Sequence, residues 1–241
     1  MHSEPALAVS LPELEQLQTV IERLGDHARV STLTRVGGYP VQGIVVGSED
    51  ERVPCLLLVG GVHGLERIGT QVVLAYLATL AERLQWDELT RNALQRSRIA
   101  AIPLLNPVGM RAGTRANGNG VDLMRNGPTN GNGQASWFVG GQRLSPLLPW
   151  YMGKKGRFEP EAEALIDFVA EQVVSSSAAI ALDVHSGFGF QDRLWFPYAH
   201  TRRPFPHAPE VYALYELLNQ TLPHHIYRIE PVSASYTIQG D

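Results

Sequence analysis

Apolar positions along the chain switch between a helical and a strand period, and the switches mark out its elements. Residues 11–24, LPELEQLQTVIERL, carry apolar residues at helical spacing, with Ser10 as a candidate N-cap, Pro12 near the start and Gly25 past the end. Two strand-like runs follow, ARVSTLTRV and YPVQGIVVG, and the Gly37-Gly38 pair between them predicts a hairpin. A continuous apolar run at 54–60 reads as a buried strand, 66–83 as a helix, 87–95 as a second helical stretch and 98–105, RIAAIPLL, as another strand. A helix is expected again at 160–174, a strand at 179–184 (AIALDV), a helix at 209–221 and a short strand at 225–229 (HIYRI). Strands alternating with helices predict an α/β protein, a three-layer α/β/α arrangement around a mixed, mostly parallel central sheet. With neither an internal repeat nor an interdomain linker, residues 1–241 are expected to form one domain, hairpin included.

Residues 106–157 break this rhythm. Eleven of the 23 glycines fall there, among several Asn-Gly pairs, and no periodicity is sustained. A segment of that length without regular structure inside a domain points to function or to disorder. Composition narrows the partners. A net charge of -4 with only 20 Lys and Arg argues against a nucleic-acid surface, which leaves small molecules or peptides. The one cysteine, Cys55, sits in an apolar strand run, so it reads as a small core residue in a reducing compartment, and a cytoplasmic location is expected. Nowhere do 18 apolar residues run together and the N-terminus has no basic leader, so no membrane partner is expected.

The stretch GGVHGLER places His63 and Glu66 where a strand gives way to a helix, three residues apart and able to aim at one point. Gly61 and Gly64 allow a tight turn there. The spacing alone says little, because HxxE arises often by chance; His207 and Glu210 in HAPE repeat it, interrupted by Pro209, and read as loop and helix-start residues. Company lifts the first pair. ALDVHSGFG puts His185 at a second strand end, and in open α/β sheets ligands collect at the carboxyl ends of strands. Two histidines and one glutamate with a fourth position open form a catalytic rather than a structural zinc arrangement. A histidine satisfied by backbone at a strand end is the competing reading for His185. Asp183, two residues earlier, fits either an orienting carboxylate or a plain strand-end acid.

The next motif is NPVGMRAGTRANGNGVDLMRN, residues 106–126. HxxE after a strand, NPxG, RxN before GVDLxRN, and a strand ending in DVHSG together resemble the zinc carboxypeptidase family over roughly residues 55–187. The resemblance implies that fold, one zinc per chain held by His63, Glu66 and His185, and hydrolysis of an amide at the end of a peptide or peptide-like substrate. It implies that Arg115 polarises the scissile carbonyl, that Arg125 grips a terminal carboxylate, with Asn126 beside it, and that Asp122 orients the first histidine. SASYTIQGD resembles the substrate-covering loop, with Tyr236 as its tyrosine.

Two departures stand out. Met124 takes the place of an asparagine before the second arginine, and a thioether cannot donate the amide's hydrogen bonds. The general-base glutamate that the family places after the tyrosine loop has no counterpart before Asp241; Glu216 and Glu230 do not match it. The expectation is a shortened hydrolase with a sheet edge left uncovered and open to homo-oligomer formation. Loss of a general base costs two to four orders of magnitude in rate, about 3 to 5 kcal/mol. The alternatives are an N-acyl amino acid deacylase of the aspartoacylase and succinylglutamate desuccinylase type, and a relative that binds metal or peptide with impaired turnover.

Overall fold

The hairpin forms as the sequence predicts: β1 (Ala28–Val36) and β2 (Tyr39–Gly47) pair antiparallel, with Val36 opposite Tyr39. Gly37 and Gly38 both have positive φ, 55° and 85°, the backbone that a two-residue turn between twisted strands requires. The structure is a computed structural model that describes residues 11–129, 135–187 and 190–240. These divide into two compact units, Met1–Asn119 with Phe158–Ser186, and Gly120–Arg157 with Gly187–Asp241.

In the first unit β3 (Cys55–Gly60), β4 (Arg98–Ile102) and β5 (Ala179–Val184) join the hairpin in a five-stranded sheet of order β1-β2-β4-β3-β5. β2 runs antiparallel to β4, whereas β3 is parallel to both β4 and β5, so the sheet is mixed. β3 lies between two parallel neighbours, which is why its sequence is apolar on both faces. β4 ends at Ile102, short of the expected Leu105, because Pro103 has no N–H to extend the ladder.

Helices cover both faces. α1 (Pro12–Leu24), α2 (Arg67–Trp86) and α3 (Glu88–Leu94) lie on one face, where Leu17, Leu24, Leu77 and Leu94 pack with Ile44, Val46, Leu58 and Ala101 of the sheet. On the other lies α5 (Pro160–Val173), reached after the short α4 (Pro107–Ala112). Glycine at position 43 admits it: a Cβ there would lie 2.7 Å from the Phe168 ring. The N-cap position of α1 falls at Leu11, and Ser10, the expected cap, lies outside the described residues. Cys55 is buried, as its apolar surroundings suggest.

β5 has a strand neighbour on one side only among the described residues, and Ile180 and Leu182 on it are 39% and 42% exposed. No helix among the described residues is long and apolar enough to cross a membrane.

The second unit holds α6 (Ala208–Thr221) and a two-stranded parallel sheet of β6 (Arg193–Phe196) and β7 (Arg228–Pro231). β6 is not foreseen by the sequence pattern, being four residues long and too short to show alternation. β7 starts three residues later than the predicted strand at 225–229; His225 is instead drawn to Asn219, its Nε2 2.7 Å from Oδ1. The glycine-rich segment, read as irregular, contains α4 and a 3-10 turn at Leu123–Arg125. Met124 packs against the small core of Ala199, Val232 and Ile238, so the residue that departs from the family pattern has an apolar use.

Candidate metal centre

The parallel register places Gly60 opposite Val184, so β3 and β5 stop at the same level. His63 lies three residues beyond one end and His185 one residue beyond the other. Gly61, at φ 67°, turns the chain back, and the extension of β4 braces the turn: Leu105 N–H donates to Gly60 O at 3.0 Å and Asn106 N–H to Gly61 O at 2.9 Å. Glu66 holds the N-cap position of α2, where its N–H donates to His63 O at 3.0 Å. The first turn of α2 presses against the end of β5; a Cβ on Gly69 would lie 2.1 Å from Val184 O. Backbone packing therefore carries Glu66 to His185.

The three side chains converge. His63 Nδ1 lies 2.9 Å from Glu66 Oε1 and His185 Nδ1 lies 3.2 Å from Glu66 Oε2. One donor atom from each falls within 4.8 Å of the others, and this is the single such group of three among the described residues. His63 and Glu66 are buried and His185 is partly so. Two imidazole nitrogens and a carboxylate oxygen turned toward a common point suit zinc in chemistry and number, and three ligands leave the fourth position open.

Glu66 and His185 hold each other in their charged forms. Burial alone would raise the Glu66 pKa, but hydrogen bonds from His185, His63 and the Ser186 N–H, the last at 2.7 Å, hold it well below the usual carboxylate range. Burial would lower the His185 pKa, yet the charge and hydrogen bond of Asp183, with those of Glu66, push it up to about 10. Asp183 Oδ2 lies 2.6 Å from His185 Nε2, which makes it an orienting carboxylate rather than a plain strand-end acid.

Arg115 approaches from a third element. Asn106 caps α4, its Oδ1 accepting from Gly109 N–H at 2.8 Å, while its Nδ2 donates to Val62 O at 3.3 Å and ties the helix to the His63 turn. Gly113, at φ 66°, ends α4 in the left-handed region. The loop beyond lies against the same turn, with Leu65 N–H donating to Thr114 O at 3.0 Å, and Arg115 Nη1 reaches Glu66 Oε1 at 3.5 Å. The sequence marked NPxG as a motif without showing that Asn106 fastens two elements. The Ser186 N–H was also missed, because a backbone donor leaves no residue signature.

The remaining expected residues belong to the second unit. Arg125 is 2% exposed; its Nε and Nη2 make long contacts of 3.4 and 3.3 Å to Val139 O, and its buried Nη1 has no hydrogen-bond partner among the described residues. The Tyr236 ring centroid lies 5.9 Å from the Arg125 Cζ. Asn126 Nδ2 donates to Met152 O at 2.8 Å and Arg157 O at 3.3 Å, anchoring the glycine-rich segment. Asp122 is buried, and its N–H donates to Tyr151 O at 2.8 Å. Glu230 is engaged by Arg193, by Trp195 Nε1 at 3.0 Å and by Ser235 Oγ at 3.4 Å. His207 and Glu210 form an exposed pair at the start of α6, as the interrupted motif suggested.

The sequence profile described as zinc carboxypeptidase matches residues 14–239. The chain belongs to the zinc carboxypeptidase family. Among its relatives, this zinc carboxypeptidase chain is 29% identical over 108 residues to carboxypeptidase SOL1 of Arabidopsis thaliana, an alignment covering 42% of the chain and 22% of the plant protein. It is 24% identical over 207 residues to carboxypeptidase B of Helicoverpa zea, covering 78% of the chain and 46% of the insect protein. The chain thus spans less than half the length of either. The crystal structure of thrombin-activatable fibrinolysis inhibitor superposes with a TM-score of 0.74 at 18% identity, over 98% of this chain and 64% of that one, and shares the carboxypeptidase fold.

Proposed function

We propose that this zinc carboxypeptidase relative hydrolyses an amide bond at the end of a peptide or peptide-like substrate, with one zinc per chain. The observation that carries the reading is the convergence of His63, Glu66 and His185 at two strand ends and a helix start, with Arg115 directed at the same carboxylate. His63, Glu66 and His185 would hold the metal, and Asp183 would fix the His185 ring. When bound, zinc supplies Lewis-acid polarisation of a carbonyl and lowers the pKa of water. Arg115 then donates its guanidinium N–H groups to the oxygen that gains charge as the carbonyl is attacked. Arg125 is the proposed carboxylate donor: a buried guanidinium nitrogen with no partner among the described residues is costly, and an anion that accepts from it removes that cost. Tyr236 and Asn126 are proposed to support it, Tyr236 through its ring face. A buried free thiol fits the cytoplasm, and the open β5 edge fits association with a second copy of the chain.

Metal analysis of purified protein tests the first half of the proposal. About one zinc per chain is expected, lost in His63→Ala and His185→Ala; a folded chain that takes up none would sink it. Incubation with peptides bearing free or amidated C-termini, alongside N-acyl amino acids, tests the second half. Release of a C-terminal amino acid supports the carboxypeptidase reading, exclusive cleavage of acyl amino acids supports the deacylase, and binding without turnover supports the impaired relative.

A further inference from the structure

Arg115 projects from an irregular loop, and the loop is held at two points that flank it. On one side Thr114 O accepts from Leu65 N–H at 3.0 Å, and Thr114 N–H donates to Gly109 O at 2.9 Å. On the other side Asn117, 5% exposed, directs its Nδ2 at the first residues of α5: Glu159 Oε2 at 3.0 Å and both Glu161 oxygens at 3.3 Å. Asn117 Oδ1 accepts from Asn119 N–H at 2.9 Å, and Asn119 Nδ2 donates to the same Glu159 oxygen at 2.6 Å. Glu161 is 2% exposed, a buried acid in contact with the loop that carries Arg115.

We propose that Asn117, gripped by Glu159 and Glu161, is a positioning residue that fixes the reach of Arg115 to the reacting carbonyl. The inference rests on the role given to Arg115 under the proposed function. The residue types suit the task. An asparagine amide can donate to carboxylates on a short, stiff stem, whereas aspartate there would add a third negative charge and alanine would remove the donor that Glu159 and Glu161 share. Glu159 and Glu161 occupy the N-terminal end of α5, where backbone N–H groups favour negative charge, so the acceptors are set by a rigid helix of 14 residues and not by another loop. Pinning the chain on both sides of Arg115 leaves its backbone little freedom, and side chains that act on a transition state need placement to about half an ångström.

The test uses a dipeptide phosphonate, which presents a tetrahedral anion in place of the scissile carbonyl, titrated calorimetrically into the zinc-loaded chain. Arg115→Ala is expected to weaken it about 10- to 100-fold, the loss of a charged hydrogen bond. Asn117→Ala should weaken it to within a few-fold of that, with zinc content unchanged, and the double variant should be no weaker than Arg115→Ala alone. Glu161→Gln, which keeps an acceptor oxygen, should retain affinity that Glu161→Ala loses. Additive losses, or an Asn117→Ala chain that binds as tightly as the original while Arg115→Ala does not, would overturn the inference. A second reading needs no ligand: the Arg115 Nε–H resonance, assigned by its disappearance in Arg115→Ala, should lose order in Asn117→Ala, and unchanged order would overturn the clamp. If the phosphonate fails to bind the original chain while that resonance still responds, the hydrolase reading falls and the clamp stands. Asn117→Ser, which also lacks the amide donor, serves if the alanine variant does not fold.

Discussion

The imidazole of His185 is held from two sides at once, its Nε2 2.6 Å from Asp183 Oδ2 and its Nδ1 3.2 Å from Glu66. Asp183 lies on the strand and His185 just past its end, so the sheet itself sets the ring's orientation. Asp183→Asn keeps an acceptor and loses the charge. It is expected to weaken zinc binding about 10- to 100-fold, measured by competition with a chromophoric chelator. Equal affinity in the two proteins would show that Asp183 is incidental to the metal centre.

Gly64 is expected to tolerate no side chain. A Cβ there would fall 2.0 Å from Gly109 C and 2.1 Å from Met110 N, backbone that cannot swing aside as a flexible side chain could. Gly64→Ala should cost more than about 3 kcal/mol of stability, because the His63 turn and α4 must part to admit a methyl group. Urea denaturation reports this directly as a fall in midpoint.

Asp87 should make the protein sensitive to acid. It caps α3 and accepts from Thr90 Oγ at 2.6 Å and from Arg83 Nε at 2.9 Å; these hydrogen bonds, that of Thr90 first, lower its pKa below the unfolded value near 3.8. A depressed folded value means the contribution is present above the unfolded pKa and lost as pH falls through the folded one. Asp87→Ala should therefore lower Tm at pH 7, and the gap to the original protein should narrow in strong acid. A gap independent of pH would assign the effect to packing.

The β5 edge gives a prediction about association. Ile180 and Leu182 expose apolar surface on a strand that has no neighbour on one side among the described residues, a combination that favours pairing with another copy. Sedimentation velocity should show self-association that rises with concentration. Leu182→Lys should suppress it without loss of zinc, since the side chain is not among the ligands.

Much of the sheet was legible because its punctuation is local. Gly37-Gly38 announces a turn that needs positive φ, and the apolar run of β3 announces burial on both faces. The residues proposed to hold the metal were legible for a similar reason, His63 and His185 lying within three residues of a strand end and Glu66 at a helix start. Asp183 could have been assigned outright, since period-two alternation puts it on the same side as His185. α4 carried its own signals, an asparagine cap and Pro107 at the first turn, but the glycines around it obscured them. The anchoring of Arg115 through Asn117 could not be read. It depends on Glu159 and Glu161, some forty residues later, and only the packing of α5 onto the sheet brings them to the loop.

The parallel alignment of Gly60 with Val184 would tie the proposed ion capture to strand pairing. Sliding β5 by one residue would displace His185 by about 3.3 Å and turn it to the opposite face, out of reach of Glu66. A mispaired sheet could then draw no stabilisation from the cation, whereas a correctly paired one would. The ion would act as a proofreader of the growing sheet, rewarding a single alignment of two strands more than a hundred residues apart in sequence.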